Sequence, residues 1–220
     1  MSTSPMPTLD LAPDELLTTT RAVRKRLDLS RPVPRALLLE CLEIAVQAPS
    51  GSNSQTWQWL FVEDPAKKQA LEDLYARSFD VYINMARPDY GPDDSRTHRA
   101  ERVRESAIYL REHIHEVPVL MIPCAAGRVP PDAPTAAHAG YWGSLLPAVW
   151  SFMLAARARG LGSAWTTLHL PFEQEAAELL GIPYDRFTQA GLYPVAYTIG
   201  TDFKPAPRVP LEHIVHFDSW

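Results

Sequence analysis

Apolar positions in this chain switch between a helical and a two-residue repeat, and the switch points divide it into elements. Leu38, Cys41, Leu42 and Ala45 recur at helical spacing after Pro34. Trp57, Trp59 and Phe61 then alternate with Gln58, Leu60 and Val62, which predicts a strand over 57–62. Asp64-Pro65 reads as the cap of a helix carrying Leu71, Leu74, Tyr75, Ser78 and Tyr82. A charged helix over 96–116 leads into the continuous apolar run 117–123, the pattern of a strand buried on both faces. A long apolar helix follows from Tyr141 to Arg159, in which Pro147 either makes a kink or marks the true first turn. Gly160 to Thr167 reads as a helix stop running into a short strand. Phe172 to Leu180 is a helix closed by Gly181, Leu192 to Ile199 a strand, and Ile214 to Phe217 a last strand. Pro13-Asp14-Glu15 opens a short helix with proline and acids in its first turn. The organisation expected is a flexible N-terminal arm, 1–12, and one domain, 13–220.

Composition narrows the function classes. With 46% hydrophobic and 21% charged residues the chain has ordinary globular usage, enough for one real core, alone or completed by a partner chain. A net charge of -5 gives no overall attraction to nucleic acid or to an anionic membrane, so neither partner is expected. The uncharged run 139–156 is broken by Gly140, Gly143, Ser144, Pro147 and Ser151, which fits a core or subunit-facing helix better than a membrane span. Cys41 and Cys124 belong to no CxxC pair and read as buried packing. The N-terminus has no basic and apolar leader pattern, and a cytoplasmic location is expected.

Catalytic motifs of the commoner kinds are missing. There is no GxSxG elbow, no GxxxxGK[ST] and no strand-linked GxGxxG. His113 and His115 diverge on a helix and His213-x-x-His216 lacks a third ligand, so no metal site is expected. What remains is suited to binding. Between the second helix and the first strand lie Pro49, Ser50, Gly51, Ser52, Asn53, Ser54 and Gln55, a run of donors and acceptors fit for a flat heteroaromatic ligand, or an ordinary polar connection. Arg21, Arg24, Lys25 and Arg26 put four cations in six residues. Arg21 and Arg24 are three apart, so both can reach one phosphate, or they form a solvated basic face. The loop 87–94 is rich in breakers and reads as a lid or a disordered tip. An enzyme with this inventory needs a cofactor to carry the reactive atom.

Several of these segments together resemble the FMN-dependent nitroreductase family. They are Arg21-Ala22-Val23-Arg24-Lys25-Arg26, then Pro32-Val33, then Ala48-Pro49-Ser50-Gly51-Ser52-Asn53-Ser54-Gln55-Thr56-Trp57, with Gly160-Leu161-Gly162-Ser163 and Arg208-Val209-Pro210 later. The resemblance implies an α+β fold, with a mixed, mostly antiparallel sheet wrapped by helices, in an interlocked homodimer with FMN at the subunit interface. It implies that Arg21, Ala22, Arg24 and Arg208 lie at the FMN phosphate, with Lys25 or Lys204 sharing it. Pro49, Ser50, Gly51, Asn53 and Gln55 would line the flavin, partly from the partner, with Trp165, Thr166 and Thr167 at its face and N5 edge. Trp57 and Tyr90 would meet the substrate. Three positions depart from the common pattern: Thr20 for a frequent arginine, Ala22 for a frequent serine and Thr56 for the usual proline. The implied activity is ping-pong transfer of hydride from NADH or NADPH through flavin N5 to a small electron-poor acceptor such as a nitroaromatic or quinone. Other FMN chemistry (ene reduction, dehydrogenation, oxygen-dependent attack) and a non-catalytic flavin-binding role are the alternatives.

Overall fold

In the computed structural model of the chain, the described residues are 7–86, 90, 91, 94 and 96–220. The helices and strands follow in the order α1 (Pro13–Thr19), α2 (Arg35–Ala45), β1 (Trp57–Val62), α3 (Pro65–Tyr82), α4 (Thr97–His113), β2 (Val119–Ala126), α5 (Thr135–Ala158), β3 (Leu161–Ser163), α6 (Glu173–Leu180), β4 (Phe187–Gln189) and β5 (Tyr193–Tyr197). Asp64 caps α3 by accepting from the Lys67 amide at 2.9 Å, and Gly181 ends α6 in the left-handed conformation, φ 73°.

The strands pair antiparallel in the order β1-β2-β5-β3, with β4 beside the far end of β2. Alternation along the strands sends side chains to two helical layers. Trp57, Trp59, Phe61, Val119, Met121, Tyr193 and Val195 face a core shared with α2 and α5. Phe152 of α5 is its hub, with Trp59 and Phe61 rings at 6.2 and 6.0 Å. Leu60, Val62, Leu120, Ile122, Cys124, Leu192 and Ala196 face the other core, built with Leu71, Leu74 and Tyr75 of α3 and Leu110 of α4. β2 is thus buried on both faces, which its unbroken apolar run requires. Burial pushes the Cys41 and Cys124 thiols up to about 12, so both pack as small apolar groups.

Two expectations need correction. Pro147 does not begin its helix: α5 starts three turns earlier, at Thr135, and runs through it. Residues 214–217 form no strand; they follow a short 3-10 turn, Leu211–His213, and are exposed. A strand needs a hydrogen-bonded neighbour, and the apolar Ile214, Val215 and Phe217 find none among the described residues. β4 was not anticipated at all. The alternatives for the 87–94 loop fall largely on residues outside those described. Among the described residues, no helix is long and apolar enough to cross a membrane, and no group of three metal-ligating side chains converges.

The chain before α2 is bound to the free edge of β3. Ala22 bridges Ser163 in parallel, and the Val23 amide donates to the Ser163 carbonyl at 2.8 Å. A Cβ on Gly162 would stand 2.7 Å from Thr198 Cγ2 and 2.9 Å from Val23 Cβ, so the close approach depends on a bare backbone there. We therefore expect Gly162→Ala to cost about 1–3 kcal/mol and to lower the melting temperature by roughly 3–8 °C. A thermal melt indistinguishable from wild type would show that Val23 and Thr198 yield without cost.

Candidate functional site

The bridge to β3 sets the direction of the basic segment. Val23 and Leu27 are buried as anchors, and the cations between them turn outward. Lys25 is in an ion pair with Glu105 of α4 at 3.2 Å. Arg26 bonds the Ile199 carbonyl at 2.8 Å and Asp202 at 2.6 Å. Both are thereby committed to structural contacts. Arg24 reaches Ser106 of α4 only loosely, 3.4 Å from Nη1 to Oγ.

Arg21 is different. Partial burial holds its guanidinium below the usual value, and the charges of Arg208 and Arg99 push it further down. Arg21 thus feels the charges of two arginines from distant parts of the chain. Among the described residues none of them is in an ion pair; Arg208 bonds only the Pro207 carbonyl, at 3.1 Å. Arg99 was not singled out from the sequence. It lies seven residues before Ser106, on the same face of α4 and about 10 Å nearer its start. The charges of Arg99 and Arg208 acting on Arg21 favour an anion with several oxygens there. Lys204 is exposed and lies near Asp202, whose carboxyl is held low by Arg26 first and by Lys204 last.

On the same edge, just beyond Ser163, Trp165 and Thr167 are exposed around a buried Thr166. Thr166 is an anchor: its amide and hydroxyl both donate to the Leu192 carbonyl, at 3.1 and 2.9 Å, and its carbonyl accepts from the Leu192 amide at 2.8 Å. Its neighbours are left to face outward. The Trp165 indole, 46% exposed, stacks on Tyr193 at 5.9 Å and lies over Gly191, where a Cβ would come within 2.9 Å of Nε1.

A buried network fixes the turn that follows. His169 Nε2 meets Gln189 Oε1 at 3.1 Å, while Gln189 gives its amide groups to the side chain and carbonyl of Glu173, at 2.8 and 3.0 Å. Arg128 closes the network on Glu173 at 2.6 Å. Because the Gln189 oxygen faces the imidazole, His169 is the neutral tautomer with its proton on Nε2. Burial pulls its pKa down to about 4.

The polar loop is not part of this group. Pro49 to Thr56 begins β1, one edge of the sheet, and the arginines and Trp165 belong to β3, the other. With β2 and β5 between them, the two edges are about 14 Å apart or more. The loop is nonetheless held in an uncommon shape. Ser52, Asn53 and Gln55 have φ values of 53°, 52° and 49°, costly for residues with side chains. The Gly51 amide donates to Ser144 Oγ of α5 at 2.9 Å, and the Gln55 amide to Ser50 Oγ at 3.2 Å. Gln55 Nε2 donates to Asn53 Oδ1 at 2.9 Å. Trp57 is half-buried against the first core. Tyr90, 39% exposed, lies under the Arg96 guanidinium at 4.0 Å.

Residues 17–197 match the sequence profile of the Nitroreductase family. The chain belongs to that family. It is 30% identical to a 4-nitrobenzoate reductase of Nocardioides sp. strain LMS-CY, over 81% of this chain and 78% of that one. A shorter match, 52% identical, joins it to an NADH dehydrogenase of Thermus thermophilus over 19% of the chain and 20% of that relative. In architecture it is similar to an oxidized iodotyrosine deiodinase solved with FMN and 3-iodo-L-tyrosine. The TM-score is 0.71 at 25% identity, covering 94% of this chain and 99% of the other. It is similar as well to a single-site mutant of the FMN and NADPH-dependent nitroreductase NfnB of Sphigopyxis sp. strain HMH, with TM-score 0.67 and 25% identity over 96% and 100%. The fold is the α+β nitroreductase type that the family resemblance implied.

His169 gives a pH dependence with a definite sign. Its folded pKa, about 4, is below the unfolded value near 6.5. The protein is thus stabilised above pH 6.5 and loses that contribution as pH falls toward 4, at most roughly 3 kcal/mol. Urea unfolding at pH 7 and pH 5 is expected to show the loss in wild type and its absence in His169→Phe; equal slopes in both proteins would show that the imidazole charges without unfolding its turn.

Proposed function

We propose that the chain is an FMN-dependent oxidoreductase that takes hydride from NADH or NADPH and passes it to a small electron-poor acceptor, a nitroaromatic or a quinone. The observation that carries this reading is Arg21 under the charges of Arg99 and Arg208, none of the three in an ion pair among the described residues, on the segment bound to β3 just before exposed Trp165 and Thr167, on a nitroreductase fold. The relatives named for FMN and for nitroaromatic reduction support it. When bound, FMN supplies the two-electron chemistry that no side chain in the site can perform.

The residues of the chain have separate tasks in this reading. Arg21, Arg99 and Arg208 hold the cofactor phosphate, with Arg24 behind them and Ala22 fixing the segment to β3. Thr166 holds the turn so that Trp165 and Thr167 present their outer side to the flavin edge. Lys204 remains a peripheral cation. Pro49, Ser50, Gly51, Asn53 and Gln55 belong to the same site, but from a second copy of the chain, because their own sheet edge is too far away. Exposed Leu39, Ile44 and Trp150 on the α2 and α5 side, and the apolar tail from Leu211 to Trp220, are the surfaces such a homodimer would cover. Trp57 and Tyr90 border the acceptor. Nothing in this arrangement calls on nucleic acid or a membrane, and the place of action is the cytoplasm.

The test is the absorption spectrum of the purified protein, followed anaerobically on adding NADH or NADPH. A bound flavin spectrum that bleaches and returns with a nitroaromatic or quinone is expected; colourless protein that takes up no FMN contradicts the reading. Arg21→Ala and Arg99→Ala are each expected to weaken FMN binding about 10-fold or more, since a charge-assisted hydrogen bond contributes roughly 1.5–3 kcal/mol. Fluorescence titration with FMN measures it, and unchanged affinity in either variant removes that arginine from the phosphate site.

A further inference from the structure

We propose, on the FMN reading above, that Phe203 is a positioning residue for the phosphate site: held by Arg26 and Arg157, it fixes the point from which the chain delivers Arg208 toward Arg21. The ring of Phe203 packs against the core that contains Val23 and Leu27. Two guanidinium groups lie over it within cation–π range, Arg26 at 4.3 Å and Arg157 at 4.9 Å from its centroid. Arg157, in the last turn of α5, is only 4% exposed, and its Nε and Nη1 are buried without a hydrogen-bond partner. The electron-rich ring offsets charge that no acceptor meets there.

The same two arginines tie down the backbone that leads to this ring. Arg26 Nε donates to the Ile199 carbonyl at 2.8 Å, the Ile199 amide donates to the Arg26 carbonyl at 2.8 Å, and Arg26 Nη2 pairs with Asp202 at 2.6 Å. Arg157 Nη2 donates to the Thr201 carbonyl at 2.9 Å. Gly200, with φ 72°, lets the turn close around Arg26, since a Cβ there would stand 2.6 Å from Nη2. Arg26 also belongs to the segment of Arg21, so the clamp joins both arginine-bearing stretches to one ring.

Beyond Phe203 these ties end. From Lys204 to Val209 no backbone group hydrogen-bonds to a residue outside the segment among the described residues, and Arg208 Nη1 bonds only the neighbouring Pro207 carbonyl, at 3.1 Å. The segment is in no helix or strand, and residues 210–220 that follow it are exposed. Pro205 and Pro207 lock two of its φ angles and make it a semi-rigid spacer. From Phe203 to Arg208 such a spacer reaches about 15 Å. A stiff arm places its end only as well as its base is held, and the base is Phe203.

The experiment compares FMN with riboflavin, which lacks the phosphate, by fluorescence titration of the full-length protein freed of flavin. Phe203→Leu is expected to weaken FMN binding roughly 5-fold and riboflavin binding less than about 2-fold, with Phe203→Tyr close to wild type. In an Arg208→Ala background Phe203→Leu should change FMN affinity little, because a misplaced arginine and a missing one lose the same bond. Equal losses for the two flavins, or full additivity with Arg208→Ala, overturn the proposal. If wild type binds no FMN, or Arg208→Ala leaves its affinity unchanged, the phosphate reading fails instead, and crystal structures of the flavin-free protein judge the clamp alone. One fixed position of Arg208 in wild type, displaced or unordered in Phe203→Leu, is the expected result; the same position in both overturns the clamp. Should Phe203→Leu not fold, Asp202→Asn, which loosens Arg26 at the surface, replaces it in each comparison.

Discussion

The pairing of Ala22 and Val23 with Ser163 is the contact on which the candidate site depends. It brings a segment with four cations against the last residue of a three-residue strand, and so fixes which of them turn to solvent. The contact needs Gly162, because any side chain there would press on Val23 and Thr198. It also decides the use of each charge. Lys25 and Arg26 meet acids and become structural, Arg24 finds only a hydroxyl, and Arg21 meets two further arginines. The result is a concentration of positive charge within a chain of net charge -5.

A second constraint comes from strand order. The polar loop and the arginine segment lie at opposite edges of one sheet, with two strands between them. Yet the loop has left-handed Ser52, Asn53 and Gln55, held by Ser144 and by its own side chains. Such strain is kept where the surrounding structure over-determines it, commonly at ligand sites. A second copy offering its loop to the arginine edge satisfies both observations. The same arrangement gives the apolar tail, with Phe217 and Trp220 almost fully exposed, something to cover it.

Much of the fold was legible because the physics that makes it is local. The β1 alternation, the Asp64-Pro65 cap and the Gly181 stop each act over a few residues, and each is found where the pattern puts it. What was not legible depends on distant partners. β4 has three residues and no period of its own, and is a strand only because Cys124 to Ala126 of β2 lie beside it. Ile214 to Phe217 has strand composition without a strand to pair with. The candidate site was marked in the sequence only in part. Arg21 and Arg208 were marked by sequence context, whereas Arg99 is one arginine among several on a charged helix. Its only local signal was the seven-residue spacing from Ser106. Thr166 was expected at the flavin edge; its hydrogen bonds to Leu192 make it the buried support of exposed Trp165 and Thr167.

The central claim is that one flavin site takes its arginines from one copy of the chain and its loop from another. Mixed dimers measure this directly. One protomer would carry Arg21→Ala with Arg208→Ala, its partner Asn53→Ala with Gln55→Ala, and the purified heterodimer would be titrated with FMN. The account predicts that each homodimer binds FMN weakly while the heterodimer recovers one site of wild-type affinity, because one of its two sites keeps both intact halves. Two equally weakened sites in the heterodimer would contradict it.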